Sequence, residues 1–139
     1  MSRATDLAER LEKAFATGAD TFAELFTPDA VQHHPFFPEP MVGRAAIAQL
    51  EATMFGGFSD VRLEVRRVIE EGDVACLETD ITAVNTSDLT MPDGTTIPAT
   101  GRPVHIAAAM VVTLDGDGRI TEAHRYEDGL GFLRQLGLA

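Results

Sequence analysis

At Gly56-Gly57 the apolar residues of this chain stop recurring at helical spacing and begin to alternate, an order that few architectures accommodate. Upstream, Leu7, Leu11, Ala14 and Phe15 lie on one helical stripe, and Asp6 with Glu9 forms a capping box, so a helix is expected over 5–17. Thr21 and Glu24 repeat the capping pattern ahead of a stripe of Phe22, Leu25 and Phe26, which Pro28 should end. Ala46, Ile47, Leu50 and Met54 mark a third helix after "MVGR". Downstream, in "VRLEVRRVI", Val61, Leu63 and Val65 alternate with Arg62, Glu64 and Arg66, as in a half-buried strand. "EGD" turns the chain into "VACLETDITAV", and "MPDGTT" marks a further turn or a longer hairpin tip. "PVHIAAAMVVTL" and "RITEAHRYE" follow as strands joined by "DGDG", and "GLGFLRQLG" is a short closing helix. Helices first and a mostly antiparallel meander afterwards define an α+β domain, with helices covering one face of a curved sheet.

A chain of 139 residues suits a single domain spanning 1–139, with one core. Its net charge of −11 leaves no excess of cations to replace counterions on phosphates, so neither nucleic acid nor an anionic membrane is an expected partner. No apolar run approaches the roughly 20 residues that span a bilayer, and "MSRATDLAER" lacks the apolar stretch of a signal peptide, so a cytoplasmic location is expected. The one cysteine, Cys76, has no intramolecular partner, and no Cys/His spacing matches a zinc site. "DGDG" lacks the acidic ligands of a calcium loop. No metal and no cofactor are expected.

The order of elements, with "FTPDAVQHHP", "VGRAAI", "IPATGRPV" and "RITEAHRYEDGLGFLRQLGL" along it, resembles the SnoaL-like polyketide cyclase group of the nuclear transport factor 2-like superfamily. The resemblance covers nearly the whole chain. It implies a cone made from a curved sheet and three helices, enclosing an apolar cavity, and a homodimer formed through the outer face of the sheet. Ketosteroid isomerases and limonene epoxide hydrolases are relatives in the same superfamily.

Each relative implies its own site. The isomerases carry an Asp base in an Asp-Pro pair, and that position falls on His34, beside Pro35; a histidine can do a base's work near neutral pH. Their oxyanion Tyr and Asp fall on about Leu11 and Met110, so steroid isomerisation is not implied. The epoxide hydrolases carry an Arg-x-Asp and a later Asp, which fall on Glu78, Asp80 and Arg125. This implies that Glu78 and Asp80 face the cavity together, with Arg125 keeping Glu78 ionised while Asp80 stays protonated as the acid. A buried ion network with no chemistry fits the same residues. The cyclases' last-strand acid also falls on Arg125, where an arginine could hold a substrate carboxylate or enolate.

Strand parity completes the expectation. Met110, Ala123, Arg125 and Glu127 should face in, and His105, His124 and Tyr126 out, while Cys76 shares the face of Glu78 and Asp80. His33 should point away from the cavity if His34 points into it, although a structural His34 bonded near Pro35 fits as well. Leu11, Phe15, Phe36, Met54, Met110 and Ala123 are the expected lining. "GTTIPATGRPV" reads as a flap or a plain hairpin end. The expected function is acid–base chemistry without a cofactor, by a cyclase, isomerase, lyase or hydrolase acting on a small hydrophobic carbonyl or epoxide compound. The alternative is a non-catalytic module that binds a hydrophobic ligand or only dimerises.

Overall fold

The computed structural model describes residues 2–91 and 94–139. Helix α1 runs Arg3–Thr17 and is capped by Ser2, whose hydroxyl accepts from the Thr5 amide. The expected Asp6/Glu9 capping box is therefore displaced by one turn: Ser2 supplies the oxygen that the free first-turn amides need. Its buried stripe is Ala4, Leu7, Ala8, Leu11, Ala14 and Phe15. The second helix is shorter than expected. α2 covers only Ala19–Ala23, and Phe26 already belongs to strand β1, Phe26–His33. Pro28 thus sits inside a strand, where the register slips between Phe26 and Val31 and no ladder amide is required of it.

A two-residue strand β2, Met41–Val42, precedes α3, Arg44–Gly56, and the Arg44 guanidinium reaches back to the Phe26 carbonyl. The long strands β3, Ser59–Glu71, and β4, Val74–Val84, form a hairpin around Gly72, whose φ of +60° suits a residue without a side chain. A bulge between Val65 and Arg67 frees the Val65 amide, and Glu12 of α1 accepts from it at 2.9 Å, fixing α1 across β3. A small hairpin, β5 (Leu89–Thr90) and β6 (Thr96–Ile97), follows; Pro92 and Asp93 of "MPDGTT", where the sequence suggests a turn or hairpin tip, lie outside the described residues. Strands β7, Pro103–Leu114, and β8, Ile120–Glu127, lead to α4, Gly129–Gln135, capped by Asp128.

The main sheet has the order β2-β1-β8-β7-β4-β3. Its pairs are antiparallel except β1 with β8, which run parallel and bring His33 level with His124. The fold is therefore the expected α+β arrangement of helices on a curved sheet. A core of Leu7, Leu11, Phe22, Phe26, Ile47, Leu77, Val112 and Ile120 fills the space beneath α1 and α3. A smaller cluster of Ala83, Leu89, Val104, Phe132 and Leu136 closes the end beside α4.

Asn85 was not anticipated. It is fully buried, donates to the carbonyls of Gly57 and Ser87, and accepts from the amide and hydroxyl of Thr100. "GTTIPATGRPV" is consequently anchored at its returning end, as befits a hairpin better than a free flap.

Candidate functional site

Alternation along the parallel pair β1 and β8 builds the site. Gln32 and His34 point inward while His33 points out, and on β8 Arg125 and Glu127 point inward while His124 and Tyr126 point out. Helix α3 adds Glu51, one turn beyond Ile47 on the same buried face.

These side chains form a buried charge cluster. The Arg125 guanidinium donates to the Glu51 carboxylate through Nη1 and to Glu127 Oε1 through Nη2 at 2.6 Å. It also lies 5.8 Å from the centre of the Phe22 ring. The other Glu127 oxygen, Oε2, stands 3.8 Å from His34 Nε2. Side-chain exposure is 10% for Arg125, 5% for Glu127 and 2% for His34, so water does little to screen them. Two carboxylates share one guanidinium, and such a group tends to retain a proton.

Burial determines where that proton sits. Glu51 is pushed above the usual carboxylate range by burial, with Arg125 opposing and Glu127 reinforcing. Burial alone would lower Arg125, but the carboxylates of Glu127 and Glu51 outweigh it and hold the guanidinium firmly charged. His34 is lowered to about 4, chiefly by burial and then by the Arg125 charge, against the pull of Glu127, so its ring is neutral near pH 7. The Phe36 amide donates to His34 Nδ1 at 3.2 Å. With Nδ1 accepting, the neutral ring carries its hydrogen on Nε2, the atom facing Glu127.

The cluster forms one wall of a cavity of about 70 Å³, enough for several waters or part of a small ligand. The remaining walls are apolar: Phe15, Met54, Phe55, Phe58, Val61, Ile81, Ala83, Val104, Ile106 and Phe132. Leu11 and Met110 line a smaller adjoining recess shared with Arg125 and Glu127. Phe36 stands behind His34, 4.7 Å between ring centres, and stacks on Phe132. Ala123 is fully buried in the core under α1 and α3.

Glu78 and Asp80 are elsewhere. On β4 the apolar alternation of Ala75, Leu77, Ile81 and Ala83 faces in, and Leu77 pairs with inward-facing Met110. Cys76, Glu78 and Asp80 therefore face the outer surface, which corrects the expectation of two carboxylates on the cavity side with Arg125. Asp80 is held there by the guanidinium of Arg66 and, at 2.9 Å, by His105 Nε2. Glu78 is exposed. The acids that meet Arg125 are instead Glu51 and Glu127. Glu127 was legible from parity, whereas Glu51 was missed although it continues the Ile47 stripe by a helical turn.

A curved sheet faced by helices, with a small cavity between them, is shared with solved proteins of ketosteroid isomerase-like fold. The chain belongs to the SnoaL-like domain family, whose model matches residues 8–123. A Catenulispora acidiphila protein of ketosteroid isomerase-like fold, solved in complex with trimethylamine, superposes over 96% of this chain and 94% of its own, with a TM-score of 0.77 and 18% identity. A Jannaschia sp. CCS1 protein described as a SnoaL-like polyketide cyclase gives 0.78 at 21% identity, over 99% of this chain and 93% of its own. The epoxide hydrolase/cyclase-like enzyme SalBIII, which has a role in pyran ring formation in the polyether salinomycin, gives 0.71 at 21%, over 93% and 92%. At these identities the likeness carries the fold and leaves the chemistry to the residues. A comparison with curated protein sequences gives no match.

Proposed function

We propose that this chain is a cofactor-independent enzyme of the cyclase, isomerase or hydrolase type, acting by acid–base chemistry on a small hydrophobic carbonyl or epoxide compound. The observation that carries the reading is the buried row Glu51–Arg125–Glu127–His34 on one wall of an otherwise apolar cavity. Mostly apolar walls with a few convergent polar groups are the usual form of a small-molecule site. The resemblance in fold to a protein described as a polyketide cyclase and to an epoxide hydrolase/cyclase-like enzyme supports the same class.

In this proposal His34 is a donor. Its Nε2–H polarises a substrate carbonyl or epoxide oxygen, the part a neutral imidazole can play where burial keeps it unprotonated. Glu51, raised toward neutrality by burial, exchanges the proton with the substrate. Arg125 and Glu127 are positioning residues: the guanidinium aligns both carboxylates, and Glu127 faces His34. Glu51 and Glu127 each take one of the five guanidinium N–H groups of Arg125, so its charge is already matched by protein carboxylates before any substrate anion arrives.

A panel of enones, lactones and epoxides, assayed for turnover and for thermal-shift binding, tests the reading. Expected is turnover of at least one compound class that falls about a hundredfold or more in His34→Ala and in Glu51→Gln, with binding retained. Turnover unchanged by both substitutions would remove catalysis from this wall. Binding without turnover across the panel would favour the non-catalytic module.

A further inference from the structure

The side of the sheet away from the cavity carries a second constellation. His33 and His124 are direct partners on the parallel strands β1 and β8, and Glu122 is two residues before His124 on the same face. The two imidazoles lie parallel to within 5°, with ring centres 4.0 Å apart. Both Nε2 atoms face the same carboxylate, at 3.3 Å from Glu122 Oε2 for His33 and 3.7 Å from Oε1 for His124. One ligand atom from each of the three residues falls within 4.8 Å of the others.

We propose that His33, Glu122 and His124 form a surface site for a borderline divalent transition metal, with Zn²⁺ the first candidate. Two imidazoles and a carboxylate suit Zn²⁺, Cu²⁺ or Ni²⁺, whereas Ca²⁺ and Mg²⁺ require shells of oxygen. With Zn–N near 2.0–2.1 Å, tetrahedral donors stand about 3.3 Å apart. The three side chains must therefore close by up to about 1.5 Å, and the two rings must tilt out of their parallel stack so that both planes pass through the metal. Side-chain exposures of 39% for His33, 40% for His124 and 49% for Glu122 leave room for that rotation, while the paired strands fix their backbones. Three protein ligands leave the fourth position to water or to a small donor ligand. A depression of about 190 Å³ beside the two histidines, which Phe37, Glu39 and Tyr126 line and which His34 and Arg125 also border, would receive it. The three ligands themselves lie outside the cavity, because alternation puts the side chains of His33 and His34 on opposite sides of the sheet.

The test titrates the chelator-treated full chain with ZnCl₂ by calorimetry, and with CoCl₂ by visible absorbance, which reports nitrogen ligation directly. Expected is one equivalent of Zn²⁺ bound at micromolar concentrations. His33→Ala and His124→Ala should each weaken binding at least tenfold and alter the Co²⁺ spectrum, and Glu122→Gln should weaken it as well. His105→Ala, which removes a histidine beside a carboxylate elsewhere on the same face, should change nothing. Where His124→Ala disturbs the strand, His124→Gln keeps its bulk and tests the same ligand. No binding at millimolar Zn²⁺, or affinity untouched by both histidine substitutions, would overturn the site.

Discussion

Two clusters built from the same residue types lie on opposite sides of one sheet. Inside, Arg125 is held between Glu51 and Glu127 with His34 next to them, and the side chains are nearly sealed from water. Outside, Asp80, itself 14% exposed, is held between Arg66 and His105, whose side chains are 59% and 62% exposed. An arginine and a histidine occur in both, with two carboxylates inside and one outside. The surroundings differ, and with them the consequence: burial shifts the protonation equilibria of Glu51 and His34, whereas the outer cluster's cationic partners stand in water, which screens their pull on Asp80.

The sharpest way to break this contrast is Arg125→Met. It leaves two buried carboxylates without their cation, and a loss of about 3–5 kcal/mol is expected from urea unfolding. A cost below 1 kcal/mol would show that water reaches the inner cluster.

Acidification tests the same wall through His34. Its native value is about 4 against an ordinary 6.5, so between those pH values the unfolded chain binds a proton that the native chain refuses. The stability tied to a neutral His34 is present in full above pH 6.5 and declines as the pH falls toward 4, by about 3 kcal/mol at about 1.36 kcal/mol per unit. Glu51, shifted upward, acts in the opposite sense, so the His34 contribution is read as the difference between wild type and His34→Gln, with chelator present. Parallel pH profiles for the two proteins would place His34 in contact with solvent.

The smallest effect belongs outside. Asp80→Asn should cost less than about 1 kcal/mol, and the difference should shrink further in high salt. A salt-insensitive loss as large as that of Arg125→Met would mean that the outer cluster is buried in the working assembly.

The same contrast shows what the sequence makes legible. The change of period at Gly56-Gly57 was enough for the architecture, because helices and half-buried strands differ in spacing whatever their function. The inner face of β8 followed from parity once Met110 was taken as buried. On β4, "VACLETDITAV" alternates Ala75, Leu77, Ile81 and Ala83 inward, yet the resemblance to epoxide hydrolases placed Glu78 and Asp80 there. The local apolar pattern was the better guide, since a one-residue change of face moves every side chain of a strand. Glu51 was hidden for another reason. A carboxylate on a buried helical stripe looks like a break in the stripe until its partner, 74 residues further along, is known.

Asn85 has a consequence for how such a chain can diversify. One amide side chain ties the end of α3 at Gly57, the outgoing strand end at Ser87 and the returning segment at Thr100. The stretch between Ser87 and Thr100 is thus a clasped loop whose two ends stay together whatever its length. Insertions between the paired Thr90 and Thr96, away from the buried Leu89, would lengthen the rim while leaving the cavity wall in register, so new recognition can be grafted there without refolding the domain.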